Sequence, residues 1–97
     1  MNVSLSDEAT ADLLAAADWY IDDGAWTAAQ DIRREVDRAL GRLAYAPGVG
    51  TRGPSNTRIL PIHRFPYSLI YRRQGDMVRV IAIAHQSRAP GYWAERR

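Results

Sequence analysis

The side chains of this chain that could perform chemistry are mainly arginines, two histidines and a tyrosine, all in its second half. Cleavage of an RNA phosphodiester bond needs groups that activate the ribose 2′-hydroxyl, stabilise the charged phosphorane and protonate the leaving oxygen. The candidates for these roles are Arg64, Arg79, Arg88, His63, His85 and Tyr92. His85 is the sharpest candidate, because imidazole suits proton transfer near neutral pH and Arg88 follows closely. The alternative is that His85 hydrogen-bonds the backbone and fixes a turn.

Other kinds of catalytic or metal site are poorly represented in the sequence. The chain has no cysteine, and neither His63 nor His85 has carboxylates beside it, so we expect no metal site and no cofactor. His63 is better interpreted as a surface residue. No Ser/His/Asp order stands out. Gly48-Val49-Gly50 is a weak candidate for a phosphate-binding loop, because it follows a helical pattern rather than a strand.

Charge is distributed unevenly along the chain. Residues 1–40 contain nine acidic residues and three arginines, a net charge of −6, whereas residues 41–97 contain ten arginines and two acidic residues, a net charge of +8. All 13 basic residues are arginine, whose planar guanidinium can hold a carboxylate or a phosphate through two hydrogen bonds. The basic half therefore suits an anionic partner, either nucleic acid or an acidic protein segment; a solvated basic face is the alternative.

Two amphipathic helices are predicted in the acidic half. Ser6 is suited to be an N-cap, and the helical pattern after it runs to about Asp22, where Asp23-Gly24 interrupts it. A second helix is predicted over about 26–46, before Pro47-Gly48. Its apolar residues recur at spacings of three and four: Ala29, Ile32, Val36, Ala39, Leu40 and Leu43. The short break between the helices predicts an antiparallel hairpin.

Strands are predicted at the start of the chain, over residues 2–5, and in the basic half, over 58–62, 67–73 and 77–85. Gln74-Gly75-Asp76 is a tight turn that joins the last two strands as an antiparallel hairpin. The predicted order is β-α-α-β-β-β. It corresponds to an α+β fold, in which a helical hairpin packs on a small antiparallel sheet and residues 1–97 form a single domain.

The last predicted strand is apolar at both alternating sets of positions, which is typical of a central strand. Its even positions, Val78, Val80, Ala82 and Ala84, are expected to pack under the helices. Its odd positions also include charged and polar residues: Met77, Arg79, Ile81, Ile83 and His85. We therefore expect the odd face to be partly open to a partner.

Residues 58–93, RILPIHRFPYSLIYRRQGDMVRVIAIAHQSRAPGYW, resemble the C-terminal half of ParE-type toxins of the RelE/ParE toxin–antitoxin superfamily. The matching features are the strand Arg-Ile-Leu-Pro-Ile, Phe65-Pro66-Tyr67 before Ile70-Tyr71-Arg72, the hairpin into Val80-Ile81-Ala82, and Ala84-His85-Gln86 before Arg88, Pro90, Tyr92 and Trp93. The helical hairpin upstream fits the same family. The resemblance thus covers nearly the whole chain, and it implies the same β-α-α-β-β-β fold.

The resemblance implies that the chain is the toxin of a type II toxin–antitoxin system, which inhibits DNA gyrase without chemistry of its own and serves plasmid stabilization. It also implies a cognate ParD-type antitoxin, through which alone operator DNA would be contacted. We expect the target to meet the C-terminal residues Arg88, Tyr92, Trp93, Arg96 and Arg97. We expect the antitoxin to meet Trp19, Arg58, Arg72, Arg79, Ile81 and Ile83.

Two alternatives accompany this interpretation, because a fold does not fix a function. RelE-type toxins of the same superfamily cut messenger RNA on the ribosome, and the catalytic candidates would then be Arg64, Arg79, His85 and Arg88. RelE-type sites use several lysines, which this chain lacks, and His-Gln belongs to the ParE pattern, so we favour the binding toxin. The third hypothesis is a chain that has lost toxicity and only binds its antitoxin.

The expected location is the cytoplasm. No apolar stretch approaches the roughly 20 residues that a membrane span needs. Ser6, Asp7 and Glu8 also interrupt any signal-peptide pattern at the N-terminus.

Overall fold

The computed structural model describes residues 1–89 and 91–97. Its elements are β1 (Asn2–Leu5), α1 (Asp7–Asp22), α2 (Trp26–Tyr45), β2 (Thr51–Gly53), β3 (Thr57–Pro61), β4 (Tyr67–Gln74) and β5 (Met77–His85). The predicted α+β class is confirmed. Pro90, one of the residues that carry the resemblance, lies outside the described residues.

The helical hairpin forms where the sequence predicts it. Ser6 caps α1, since its Oγ accepts a hydrogen bond from Ala9 N at 3.0 Å. Gly24 has a φ of +77°, a left-handed conformation that glycine adopts without a steric penalty, and the chain reverses there between α1 and α2. On the apolar side of α2, Ile32 and Val36 are fully buried against the sheet and α1.

The sheet is mixed, with the strand order β1-β5-β4-β3-β2. All pairs are antiparallel as predicted except β1 with β5, which is parallel. The additional strand β2 lies within the predicted loop. The close packing of this segment against β3 and β4 depends on glycine. A Cβ at Gly50 would lie 2.7 Å from Tyr71 Oη, and a Cβ at Gly53 would lie 2.8 Å from Ile59 Cδ1.

A β-bulge in β5 changes which of its residues face the helices. Tyr71 pairs with Val80, whereas Ile70 pairs with Ala82, so that Ile81 is an extra residue on β5. Val78 and Val80 face the helical side as predicted, but beyond the bulge Ile83 belongs to that core. The prediction was therefore wrong for Ala82 and Ala84, which belong to a second core on the opposite face.

The face opposite the helices is covered by residues 91–97, here called the C-terminal segment. Trp93 of this segment is buried against Ile70, Ile81 and Ala84. The expectation that the odd face of the last strand is open is wrong around Ile81, because the chain's own C-terminal segment covers it.

Candidate partner-binding site

The four residues that a nuclease would need are not all brought together: His85 and Arg88 line the same groove, but Arg79 lies elsewhere. Arg64 lies near α2, with its Nη2 3.6 Å from Asp31 Oδ2. Arg79 lies at the β1 edge, where its Nη1 donates to Ser4 Oγ at 3.1 Å. His85 lies about 20 Å further along β5, given a rise of about 3.4 Å per residue. No single substrate phosphate could contact Arg79 and His85 together.

His85 is engaged in the turn that follows β5. Its Nδ1 accepts a hydrogen bond from Ser87 N at 3.1 Å and lies 2.7 Å from Ser87 Oγ. The ring also packs edge-on against Tyr67, with ring centroids 5.0 Å apart. These contacts agree with the interpretation that His85 bonds the backbone and fixes the C-terminal turn.

The C-terminal segment is fastened to the sheet by two polar clamps. Arg96 Nη1 lies 2.7 Å from Asp12 Oδ2 on α1, in an ion pair whose side chains are only 21% and 16% exposed. On the other side, Arg72 donates to the carbonyl oxygens of Ala94, at 2.9 Å, and of Arg96. The segment is therefore held at both α1 and β4.

The five residues expected to meet the target fall into two groups: some hold the C-terminal segment in place, and the others are accessible at the surface. Trp93 is only 5% exposed, and Arg96 is paired with Asp12, so both hold the segment in place. Arg97 and Arg88 are exposed, and the Arg88 guanidinium carbon lies 3.8 Å from the centre of the Tyr92 ring. Arg88, Tyr92 and Arg97 are thus the members of the set that the surface presents.

Next to Arg88 and Tyr92, a shallow groove of about 200 Å³ separates α1 from the end of β5. We call it the α1/β5 groove. It is lined by Asp12, Ala15, Ala16, Trp19, Tyr67, Ile83, His85, Arg88 and Tyr92. Trp19 is 60% exposed, so the α1 side of the groove presents a large aromatic side chain to solvent. Leu14 is also exposed, at 46%, but it lies elsewhere on α1 and does not line the groove.

The edge of β5 beside this groove is occupied by side chains rather than by a strand. β1 ends opposite Val80, and beyond it Asp12 Oδ2 accepts from Ile83 N at 3.0 Å. Ser6 Oγ and Arg96 Nη1 both donate to Ile81 O. Because these edge groups are already bonded, a partner strand could not pair there without displacing Asp12 and Arg96.

The residues expected to meet the antitoxin are in different environments. Trp19 is exposed, as expected. Arg58, Arg72 and Arg79 are half-buried and donate to carbonyl oxygens of their own chain, including Gly50 O, Ala94 O and Leu5 O respectively. Ile81 and Ile83 are 0% and 2% exposed. Their assignment to a partner surface does not fit the structure, since both side chains are core residues.

Asp12 is the main contributor that the sequence interpretation missed. Nothing in the sequence distinguishes it from the other acidic residues on α1, because its partners Ile83 and Arg96 are more than 70 residues away. Leu14 carried a usable signal: it is a large apolar residue outside the predicted apolar side of α1. Such a residue is a reasonable candidate for a docking contact.

Two tyrosines near the groove have raised pKa values. Burial is the main cause for both; the neighbouring Tyr20 adds to the effect at Tyr67, and the Asp12 carboxylate adds to it at Tyr92, where Arg88 and Arg96 oppose it. Both phenols therefore remain protonated at neutral pH. Neither can act as an anionic base under these conditions.

Within the described residues, no helix combines the length and apolarity needed to cross a membrane. Across the same residues, no three His, Asp or Glu side chains are grouped so as to hold a metal ion.

Comparisons with a family model and with solved structures both point to the same protein family. Residues 3–90 match the model of the family described as ParE toxin of type II toxin-antitoxin system, parDE. No curated protein matches the chain. A solved structure of the "Chromosomal ParDE TA system from P. aeruginosa" is similar to this chain, with 24% identity and a TM-score of 0.76 over 88% of this chain and 95% of that one. This likeness shows the shared fold, and the match over residues 3–90 shows that the chain belongs to the ParE toxin family of type II toxin–antitoxin systems.

Proposed function

We propose that this ParE-family toxin inhibits DNA gyrase in the bacterial cytoplasm by binding it, without catalysing a reaction, and that a ParD-type antitoxin neutralises it. The observation that carries the binding mode is the distance of about 20 Å along β5 between Arg79 and His85, which keeps the four nuclease candidates from forming one site. Gyrase as the target and plasmid stabilization as the role rest on the family resemblance. The RelE-type alternative is not favoured, because Arg79 lies too far from His85 to share a substrate phosphate with it.

The antitoxin is proposed to dock a helix in the α1/β5 groove. Exposed Trp19 supplies the aromatic anchor that such an interface needs at its centre. A helix is favoured over a strand because Asp12 already bonds the Ile83 amide at the β5 edge. The exposed Asp18 and Asp22 on α1 would form a polar rim around the contact.

Neutralisation follows from overlap between the two partner surfaces. Arg88 and Tyr92 line the α1/β5 groove, and they are also the presented residues of the set expected to meet the target. An antitoxin helix in the groove would cover them. Gyrase and antitoxin would then compete for one surface rather than act through a change in the toxin's fold.

A supercoiling assay with purified gyrase tests the proposal. We expect the full-length toxin to inhibit supercoiling, and we expect added antitoxin to restore it at stoichiometric amounts. Arg88→Ala should weaken inhibition, whereas Arg33→Ala, an exposed arginine on α2, should not. Undisturbed supercoiling at a large toxin excess would reject gyrase as the target. Cleaved messages on RNA-end mapping after toxin induction would reject the binding mode.

A further inference from the structure

A second recess lies at the opposite edge of the sheet, away from the α1/β5 groove. It has a volume of about 460 Å³ and lies between the loop after α2 and strands β2, β3 and β4. Four arginines are among its lining residues: Arg52, Arg58, Arg72 and Arg73. No acidic residue lines it. We call it the arginine recess.

The strand register places three of these arginines on one face. Arg52 pairs with Arg58 across β2 and β3, and Arg58 pairs with Tyr71 across β3 and β4. Directly paired residues share a face, and so do residues two apart on a strand, so Arg73 lies on the same side as Tyr71. Arg52, Arg58 and Arg73 therefore come from three adjacent strands and point to the same side of the sheet.

The wall of the recess is rigidly built. Tyr71 Oη donates to Pro47 O at 2.8 Å and accepts from Gly50 N at 2.9 Å. Arg58 Nη1 donates to Gly50 O at 2.8 Å, which ties the same loop to β3. Arg72 donates through Nε to Ser55 O at 3.0 Å and fixes the turn between β2 and β3. The recess is thus preorganised by the chain's own hydrogen bonds.

Its positive charge is not balanced by the protein. Over residues 1–89 and 91–97, no carboxylate lies within 4.0 Å of the Arg52, Arg58 or Arg73 guanidinium. Arg52 has no hydrogen-bond acceptor within that part of the chain, and Arg73 has only Gly75 O, at 3.5 Å from its Nε. Arg58 retains Nε and Nη2 after its Nη1 has bonded the loop. Several strong donors therefore face an acid-free recess.

We propose that the arginine recess binds a phosphate group, carried by a nucleic acid or by a smaller phosphate compound. A phosphate offers several charged oxygens around one centre, so it can accept from guanidinium groups that arrive from three strands at once. A single carboxylate has only two oxygens, both on one edge of a planar group, so it is less suited to guanidinium groups that arrive from three strands. The recess is also large enough for a phosphate together with an attached sugar.

The test measures binding of two probes to the full-length chain: pyrophosphate, and a fluorescein-labelled single-stranded oligonucleotide of about 12 nucleotides at low salt. The recess variant is Arg52→Gln with Arg73→Gln. The matched control is Arg33→Gln with Arg42→Gln, which removes the same charge from exposed positions on α2. Circular dichroism melting of both variants confirms that each is folded.

We expect the recess variant to bind the phosphate probes about tenfold or more weakly, and the control to change binding less than about threefold. Preference for the oligonucleotide over pyrophosphate would identify a nucleic acid as the source, and similar binding of both would identify a smaller phosphate compound; each outcome supports the site. Equal loss in both variants would overturn it, because the attraction would then be unspecific. Binding of a polyglutamate peptide in the recess, with neither phosphate probe bound, would also overturn it.

Discussion

On one face of the sheet, α1 and α2 bury Ile32, Val36 and Leu43 against the strands; on the other, the C-terminal segment places Trp93 over Ile70 and Ile81. The first face is held by continuous apolar packing. The second depends on Trp93, on the partly buried Tyr92 beside it, and on the polar clamps of Asp12 and Arg72. The indole Nε1 of Trp93 is buried without a hydrogen-bond partner in the described residues, which further weakens this side.

This difference indicates that the two faces of the sheet contribute differently to stability. The helix-covered face supplies global stability, whereas the segment-covered face can open locally at a lower free energy. Arg88 and Tyr92 are adjacent to the weaker side and line the α1/β5 groove. The surface proposed to bind partners therefore adjoins the C-terminal segment, which covers the less stable face of the sheet.

The largest effect is expected from a cavity in the helix-covered face. Ile32→Ala should lower the free energy of unfolding by about 2–5 kcal/mol, because the side chain is fully buried. Urea denaturation of the isolated toxin measures this. Arg33→Ala, on the exposed side of the same helix, should change stability by less than about 0.5 kcal/mol. Comparable losses for both variants would show that this face is not the main source of stability.

In contrast to Ile32, the exposed Trp19 should contribute to antitoxin binding but not to the stability of the toxin. Trp19→Ala should weaken antitoxin binding by about 2 kcal/mol, roughly 30-fold, with little change in toxin stability. Trp26→Ala is the matched control, because Trp26 is 65% exposed but does not line the groove. Isothermal titration calorimetry with the antitoxin gives both affinities. Equal affinities for the two variants would remove the groove from the interface.

Breaking the clamp at Asp12 should affect only the segment-covered face. Asp12→Asn keeps an oxygen for the Ile83 amide but removes the charge that holds Arg96, at a cost of about 1.5 kcal/mol. Hydrogen exchange should then rise in residues 91–97 while the helices keep their protection. Asp18→Asn, an exposed carboxylate on the same helix, is the control. Faster exchange throughout the chain would mean that the two faces open together.

A smaller effect is expected at alkaline pH. The chain has no lysine, so tyrosines are the main side chains that titrate between about pH 10 and 12. Because folding raises the pKa of Tyr67 and Tyr92 above 10.0, their contribution to stability is complete below pH 10 and is lost as pH rises through the folded values.

Replacing either residue should reduce this loss. Tyr67→Phe and Tyr92→Phe should each flatten the decline of unfolding free energy above pH 10, as measured by urea denaturation across pH. Tyr45→Phe, at a ring that is 92% exposed, is the control. An unchanged decline in both test variants would show that burial of these phenols is not linked to stability.

Much of the fold could be predicted because its signals are local. The Ser6 cap, the glycine break and the α2 stripe each depend on residues within a few positions of one another. The bulge at Ile81 could not be predicted in this way, because it is defined by the register against β4. Strand β2 was missed for a related reason: it is short, and it depends on glycines that fit against Tyr71 and Ile59.

The candidate site was predicted only in part, because exposure is decided by tertiary contacts. Trp19, which the sequence analysis expects to meet the antitoxin, is 60% exposed and therefore accessible to a partner. Ile81 and Ile83 were expected at the surface because the sequence gives no indication that Trp93 covers one face of β5 and the helices the other. Asp12 acquires its role through Ile83 and Arg96, both of which are far from it in the sequence.

The most direct test of the α1/β5 groove is hydrogen–deuterium exchange of the toxin with and without its antitoxin. We predict new protection in α1 around Ala16 and Trp19 and in residues 85–89, with exchange at β2 unchanged. Protection confined to β2 and β3, with α1 exchanging as in the free toxin, would contradict it.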